Sequence, residues 1–196
     1  MKKKNYFIGI DIGLLGAITI LTKKKEFVNS YKMPVIKNSN TNKNIYDTLN
    51  IINILKEYSN ATVIMEQLSA RPGQGVSSMF SLGYGCGLFN GLCNSINNKV
   101  IVVHPQKWQN SLTKLYFDNS ISNAFKILDY DYIISKINNE TFKQWFIKYI
   151  NLKSSLPTKI KSAFLYYCID KELSIKYSDN NIVDSYLLAY YGTLNQ

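Results

Sequence analysis

"YFIGIDIGLLGAITIL", residues 6–21, is apolar from end to end except for one carboxylate, Asp11, set among Gly9, Gly13 and Gly16. Segments 6–11, 16–22 and 26–33 are apolar or alternating and are separated by short breaks rich in Gly or Lys, the pattern of a three-stranded antiparallel meander. Asp11 then falls at the end of the first strand. An acid there is either a turn residue favoured beside glycine or a group presented to a ligand, because ligand chemistry in α/β sheets collects at strand ends.

Further along, "KNSNTNKN" (37–44) predicts a loop. "IYDTLNIINILKEY" (45–58) predicts a helix, with Ile45, Leu49, Ile52 and Leu55 at helical spacing. "ATVIMEQ" (61–67) is a compact run that reads as a buried strand ending at Glu66. The segment from about 77 to 97 reads as a helix in which Gly83, Gly87 and Gly91 recur every fourth residue and leave one face nearly bare. Each glycine inside a helix costs roughly 1 kcal/mol relative to alanine, so a close approach to that face is expected. "KVIVVHP" (99–105) is a further buried strand stopped by Pro105, and "QKWQNSLTKLY" follows as a helix. Residues 117–138 have no clear period. Asn139 is an expected N-cap for an amphipathic stripe of Phe142, Trp145, Phe146, Tyr149 and Ile150. Pro157 closes that unit, and "TKIKSAFLYYCIDKEL" and "NIVDSYLLAYYGTL" form two final helices. The order is three antiparallel strands, helix, strand, helix, strand, then helices. That order is the one of an RNase H-like α/β domain: a mixed five-stranded sheet, three antiparallel strands then two parallel, flanked by helices, within one domain spanning 1–196. No repeat or linker interrupts it.

The 196 residues and their 46% apolar content suit one domain with a sizeable core. The formal charge of +10 comes from twenty-two lysines and a single arginine, Arg71. Such a surface attracts polyanions at long range, although an AT-rich genome inflates Lys, Asn and Ile in any protein. Three cysteines without a CxxC pair, and a single histidine, exclude a disulfide framework and a zinc site. No stretch has the form of a signal peptide or a membrane span, so a soluble protein of a reducing compartment is expected.

Asp11 and Glu66 both end strands, and Asp184 lies near the start of the last helix. Clustered carboxylates repel one another unless a cation neutralises them, so this trio suits a hard divalent ion, Mg2+ or Mn2+. Two such ions roughly 3.5–4 Å apart can hold a phosphodiester, lower the pKa of the attacking water and stabilise the leaving oxygen. Taken singly, each acid has an ordinary alternative: a turn residue, a paired buried acid, or a first-turn acid favoured by the helix dipole.

Taken together, "GIDIGLLGAI", "VIMEQLSARPGQGVSSMFSLGYGCG", "VVHPQKW", "KIKSA" and "NNIVDSYLLAYYG" occur in the order and approximate spacing of RuvC-like Holliday junction resolvases. The chain resembles most the phage and organelle branch of that family, over residues 6–108 and 157–192. The resemblance implies a homodimer that makes paired, metal-dependent nicks across a four-way DNA junction, using two Mg2+ or Mn2+ ions per site, with neither a membrane nor a small molecule as partner. Asp11, Glu66 and Asp184 correspond to metal-binding acids, and Lys159 matches a lysine expected near the scissile phosphate. The family meets DNA through the segment after the second acid, here Gln67 to Phe80, including Arg71, Gln74 and Ser77, with Lys161 beside Lys159. Phe80 and Tyr84 are candidates for stacking on an unpaired base or for the core, while Trp108 is expected to be structural.

Two features depart from the family. Its usual fourth acid, three or four residues before the last, is replaced here by Asn181 and Asn180. Asp179, five residues from Asp184, is rotated about 140° away on a helix; from the preceding loop it is expected to join the metal site as the fourth catalytic acid, although it is also a credible N-cap. The second departure is a stretch of about 112–156 that is longer than expected and reads as a helical insertion. Three other readings remain. One is an RNase H-like nuclease acting on RNA or other branched DNA, and another is a non-catalytic junction binder. The third is an actin-like ATP-binding fold, for which the chain is too short.

Overall fold

A computed structural model describes residues 5–69, 73–170 and 172–195. The meander is present: β1 (Tyr6–Asp11), β2 (Ala17–Thr22) and β3 (Phe27–Lys32) pair antiparallel. A small hairpin follows, β4 (Val35–Lys37) with β5 (Asn44–Tyr46), before α1 (Thr48–Glu57). Next come β6 (Thr62–Glu66), α2 (Val76–Ser95) and β7 (Lys99–Val103). The remainder is helical: α3 (Pro105–Tyr116), α4 (Asn119–Ile127), α5 (Tyr130–Ser135), α6 (Glu140–Lys153), α7 (Pro157–Ile169) and α8 (Asn180–Leu194). The main sheet runs β3-β2-β1-β6-β7, with β1–β6 and β6–β7 parallel. The fold is therefore α/β with a mixed five-stranded sheet. Among the described residues no helix is long and apolar enough to cross a membrane.

Both faces of the sheet are covered, which explains the near-continuous apolar runs of β1, β2 and β6. Ile8, Ile10, Ile18, Ile20, Val63 and Met65 face α1 and α2, packing with Ile51, Leu55, Phe89 and Cys93. Phe7, Ala17, Leu21 and Ile64 face the other way, against α3, α7 and α8. Strand side chains alternate between faces. Gly9 and Asp11 therefore share the α8 face with Phe7, as Glu66 does with Ile64.

α8 is buried on nearly every side, from Ile182 to Gly192, as a helix apolar all round should be. Its backbone lies directly on β1 because Gly9 has no side chain: a Cβ there would collide with the Ser185 carbonyl and the Ala189 amide. Gly16 makes a similar close approach to the Asp11 carbonyl in the turn into β2. The buried Thr19 and Ser185 hydroxyls bond at 2.7 Å and fix the register of helix on sheet.

Several expectations are corrected. Residues 44–46 are a strand, and α1 starts only after Asp47, whose carboxylate accepts from the Asn50 amide. Leu49 is exposed while Ile51 and Leu55 are buried, so the stripe Ile45, Leu49, Ile52, Leu55 is not the packed face. β7 is a sheet edge and only Val103 in it is fully buried, with Val102 open to solvent. On α2 the close approach within the chain is at Gly85, where a Cβ would come within 2.7 Å of the Tyr46 hydroxyl and 2.9 Å of Ile12; positions 83, 87 and 91 face open space. Residues 117–138, which have no clear period, fold as α4 and α5. These, with α6, pack through Ala124, Ile133, Phe142 and Phe146 on Phe164 and its neighbours in α7. Asn139 caps α6 as expected, accepting from the Phe142 amide at 2.9 Å.

The dependence on Gly9 is testable. Gly9→Ala inserts a methyl group against helix backbone that has no room to yield, and small-to-large changes of this kind cost about 1–3 kcal/mol or more. The urea unfolding midpoint is expected to fall accordingly; an unchanged midpoint would show that α8 does not rest on β1 here.

Candidate active site

Parallel pairing of β1 with β6 brings two acids to one level. Ile10 lies opposite Met65, so Asp11 and Glu66 follow together at the C-terminal ends of neighbouring strands. α8 crosses the same face, and its first turns carry Asp184 to that edge. A cavity of about 330 Å³ is lined by Asp11, Glu66 and Asp184, with Lys159 and Ser162 of α7 and Gln106, Trp108 and Gln109 of α3. Four of the expected catalytic residues, Asp11, Glu66, Asp184 and Lys159, therefore meet in one place.

The electrostatics are those of an acid cluster. Asp11 is pushed up from 3.8 to about 7, first by loss of solvent and then by the negative charge of Asp184, with smaller contributions from Glu66 and Asp179; only Lys159 opposes them. Lys159 donates to Asp184 Oδ2 in a partly buried ion pair. Burial is the largest single influence and would depress the Lys159 ammonium, but the charge and hydrogen bond of Asp184, with the charge of Asp11, together hold it above the ordinary lysine value. Trp108, only 1% exposed, donates its indole N–H to Glu66 Oε1 at 3.0 Å. Its structural role in the core thus extends to orienting a site carboxylate. Among the described residues no three His, Cys, Asp or Glu side chains are gathered into a set that could hold a metal ion as they stand. Two of the three acids are engaged by protein partners, Asp184 by Lys159 and Glu66 by Trp108. Even so, three oxygen donors in one cavity, one of them destabilised as an anion, are the donor chemistry of a hard divalent cation.

The positions before Asp184 are all engaged. Asp179 caps α8, accepting from the Asn181 amide at 3.1 Å, and pairs with Lys32 at 3.1 Å; it is not among the residues lining the cavity. The Asn180 side chain accepts from the Tyr149 hydroxyl of α6, and Asn181 donates to the Leu15 carbonyl at 2.6 Å, tying α8 to the turn after Asp11.

The other expected contact residues surround the site. Gln67 and Gln74 line an adjoining cavity of about 470 Å³ that also reaches Glu66. Phe80, 76% exposed, lines an apolar groove of about 400 Å³ with Leu15, Ile45 and Tyr84, so these aromatics are not core. Ser77 is exposed in the first turn of α2. Lys161 faces the opposite side of α7 from the carboxylates, and Arg71 lies outside the described residues. Gln106 and Gln109 were not anticipated. The available signal was their place in the first turns of the helix that directly follows β7, beside Glu66.

No protein-family model matches the chain, and no curated protein matches it.

The raised Asp11 sets a pH dependence. Its folded-state pKa lies above its unfolded value, so the folded state binds more protons between about pH 4 and 7, and the associated stability is present below pH 4 and lost as pH rises through 7. In chelator, wild type is expected to lose up to about 4 kcal/mol over that range from this group. Asp11→Asn should lack that slope and be the more stable form at pH 8. Identical pH–stability curves, measured by denaturant unfolding, would contradict the assignment.

Proposed function

We propose that the chain is an RNase H-like, divalent-metal-dependent endonuclease that acts as a homodimer on four-way DNA junctions, in the manner of RuvC-like resolvases. The observation that carries the reading is the meeting of Asp11, Glu66 and Asp184 with Lys159 in one cavity. Mg2+ or Mn2+ would be held by the three carboxylates, and when bound supplies an attacking water of lowered pKa and charge stabilisation for the leaving oxygen.

The chain's own residues do the rest. Asp11 and Glu66 are fixed by two rigid, paired strands, so their separation is set by sheet geometry rather than by a loop. Trp108 selects the orientation of Glu66 through its N–H, and outer hydrogen bonds of this kind govern ligand geometry. Lys159 brings a positive charge to the cavity, where it can meet a phosphate oxygen in place of Asp184. Asp179 caps α8 and pairs with Lys32, so this reading places the ion on the three cavity acids.

Specificity for a branched substrate is supported by the surroundings. Exposed Phe80 and Tyr84 suit stacking on unpaired bases, and the net charge of +10 favours a polyanion. The open face of Gly83, Gly87 and Gly91 beside them leaves α2 available to a second copy.

Synthetic four-way junctions with each strand end-labelled provide the test. Nicks at nearly symmetrical positions are expected only with Mg2+ or Mn2+, and Asp11→Asn should abolish them while sparing junction affinity. Equal cutting of plain duplex, preferential cutting of RNA, or no cutting with either ion would each reject the resolvase reading. In addition, Trp108→Phe keeps an aromatic side chain but removes the N–H that Glu66 accepts, and should raise the Mn2+ concentration for half-maximal binding roughly ten-fold. Unaltered metal affinity would confine Trp108 to the core.

A further inference from the structure

A separate cavity, of about 310 Å³, lies on the other side of the first turn of α7 from the carboxylates. Phe117, Phe125 and Lys126 line it from α4 and its approach, with Ser122, and α7 supplies Thr158 and Lys161. The helical spacing explains the division: Lys159 and Ser162 look into the carboxylate cavity, Lys161 into this one, and Thr158 borders both. One turn of helix is all that separates them.

The second cavity is short of negative charge. Among the described residues the ion pairs are Lys32–Asp179 and Lys159–Asp184, so neither Lys126 nor Lys161 has a carboxylate partner. Lys161 is half-buried, and loss of solvent pushes its ammonium below the ordinary lysine value. An ammonium withdrawn from water without a counter-ion is costly, and an anion between the two lysines would relieve that cost. The nearest acid in sequence, Asp118, is occupied in capping α4, accepting from the Ile121 amide at 2.7 Å. In the same cavity Phe117 and Phe125 stack with their planes 8° apart and add an apolar surface to its lining. Lysines, hydroxyls and an apolar ring surface gathered in one cavity suit the phosphate and the sugar of a nucleotide.

We propose that this cavity seats the nucleotide adjacent to the cleaved one on the same strand, with Lys126 and Lys161 on its phosphate and Phe117 and Phe125 against its sugar. A strand carries one phosphate per nucleotide, so one that places a phosphate at Lys159 leads the next past Thr158. The helices following β7 thereby gain a role as one jaw of a strand clamp. This inference rests on the nuclease reading above.

The test is junction binding in chelator, where no cutting occurs, followed by fluorescence anisotropy across about 50 to 200 mM salt. Lys126→Glu, at an exposed position, and Lys161→Gln should each weaken binding several-fold and lower the salt slope by about one. Lys56→Glu, on α1 across the sheet, should change affinity less than about two-fold. A junction with an uncharged methylphosphonate next to the phosphate cut in Mg2+ should bind wild type more weakly but Lys126→Glu no more weakly than the unmodified junction. Wild-type affinity in both cavity variants, or an equal loss in Lys56→Glu, would overturn the clamp while leaving the nuclease reading intact. A wild type that binds no junction would overturn both.

Discussion

Everything at the candidate site depends on the contact of α8 with β1 at Gly9. A helix can lie this close to a strand only where the strand lacks a side chain, and Gly9 removes the one that would strike Ser185 and Ala189. Two residues along the same strand face is Asp11, and one residue before Ser185 is Asp184. The close approach that packs the core therefore also forces two carboxylates together at the sheet's end, where parallel pairing adds Glu66. Packing and electrostatics conflict here: the burial that stabilises the fold raises the cost of ionising Asp11. Proteins retain such conflicts chiefly at functional sites.

Lys159 moderates that conflict in the absence of any cation. Its ammonium pairs with Asp184 and is the one group that lowers the Asp11 pKa. A lysine on a helix end is a replaceable counter-ion. It offsets part of the negative charge of the acid cluster, and in the proposed reading a divalent ion on the carboxylates would leave the ammonium for a phosphate. The same α7 turn then divides its positive charge between two neighbouring cavities.

Much of this was legible in the sequence because it is carried by local signals. Apolar runs ended by acids marked β1 and β6, and the strand–helix order defined the sheet. Asn139 announced itself as a cap by residue type, and Asp179 offered a cap as the alternative to a metal ligand. What was missed depends on tertiary contacts. Ile45 fits a helical stripe as well as a strand until the β4–β5 hairpin pairs it with Ile36. The spacing of Gly83, Gly87 and Gly91 marks a face of α2 that stays open within the chain, and only the position of Tyr46 reveals that Gly85 is the glycine packed inside it. Trp108 looked like core and is core, yet its N–H reaches Glu66, forty-two residues back in the chain. The exposure of Phe80 and Tyr84 likewise depends on what packs beside α2, which periodicity does not encode.

The central claim is that Asp11, Glu66 and Asp184 form a divalent-cation site whose charge Lys159 offsets in part when no ion is bound. Calorimetric titration of Mn2+ into the metal-free protein at pH 7 tests it most directly, comparing wild type with Asp184→Asn. The account predicts saturable binding by wild type, with protons released as Asp11 ionises, and loss of binding in the variant. No binding by wild type, or binding unaffected by Asp184→Asn, would contradict it.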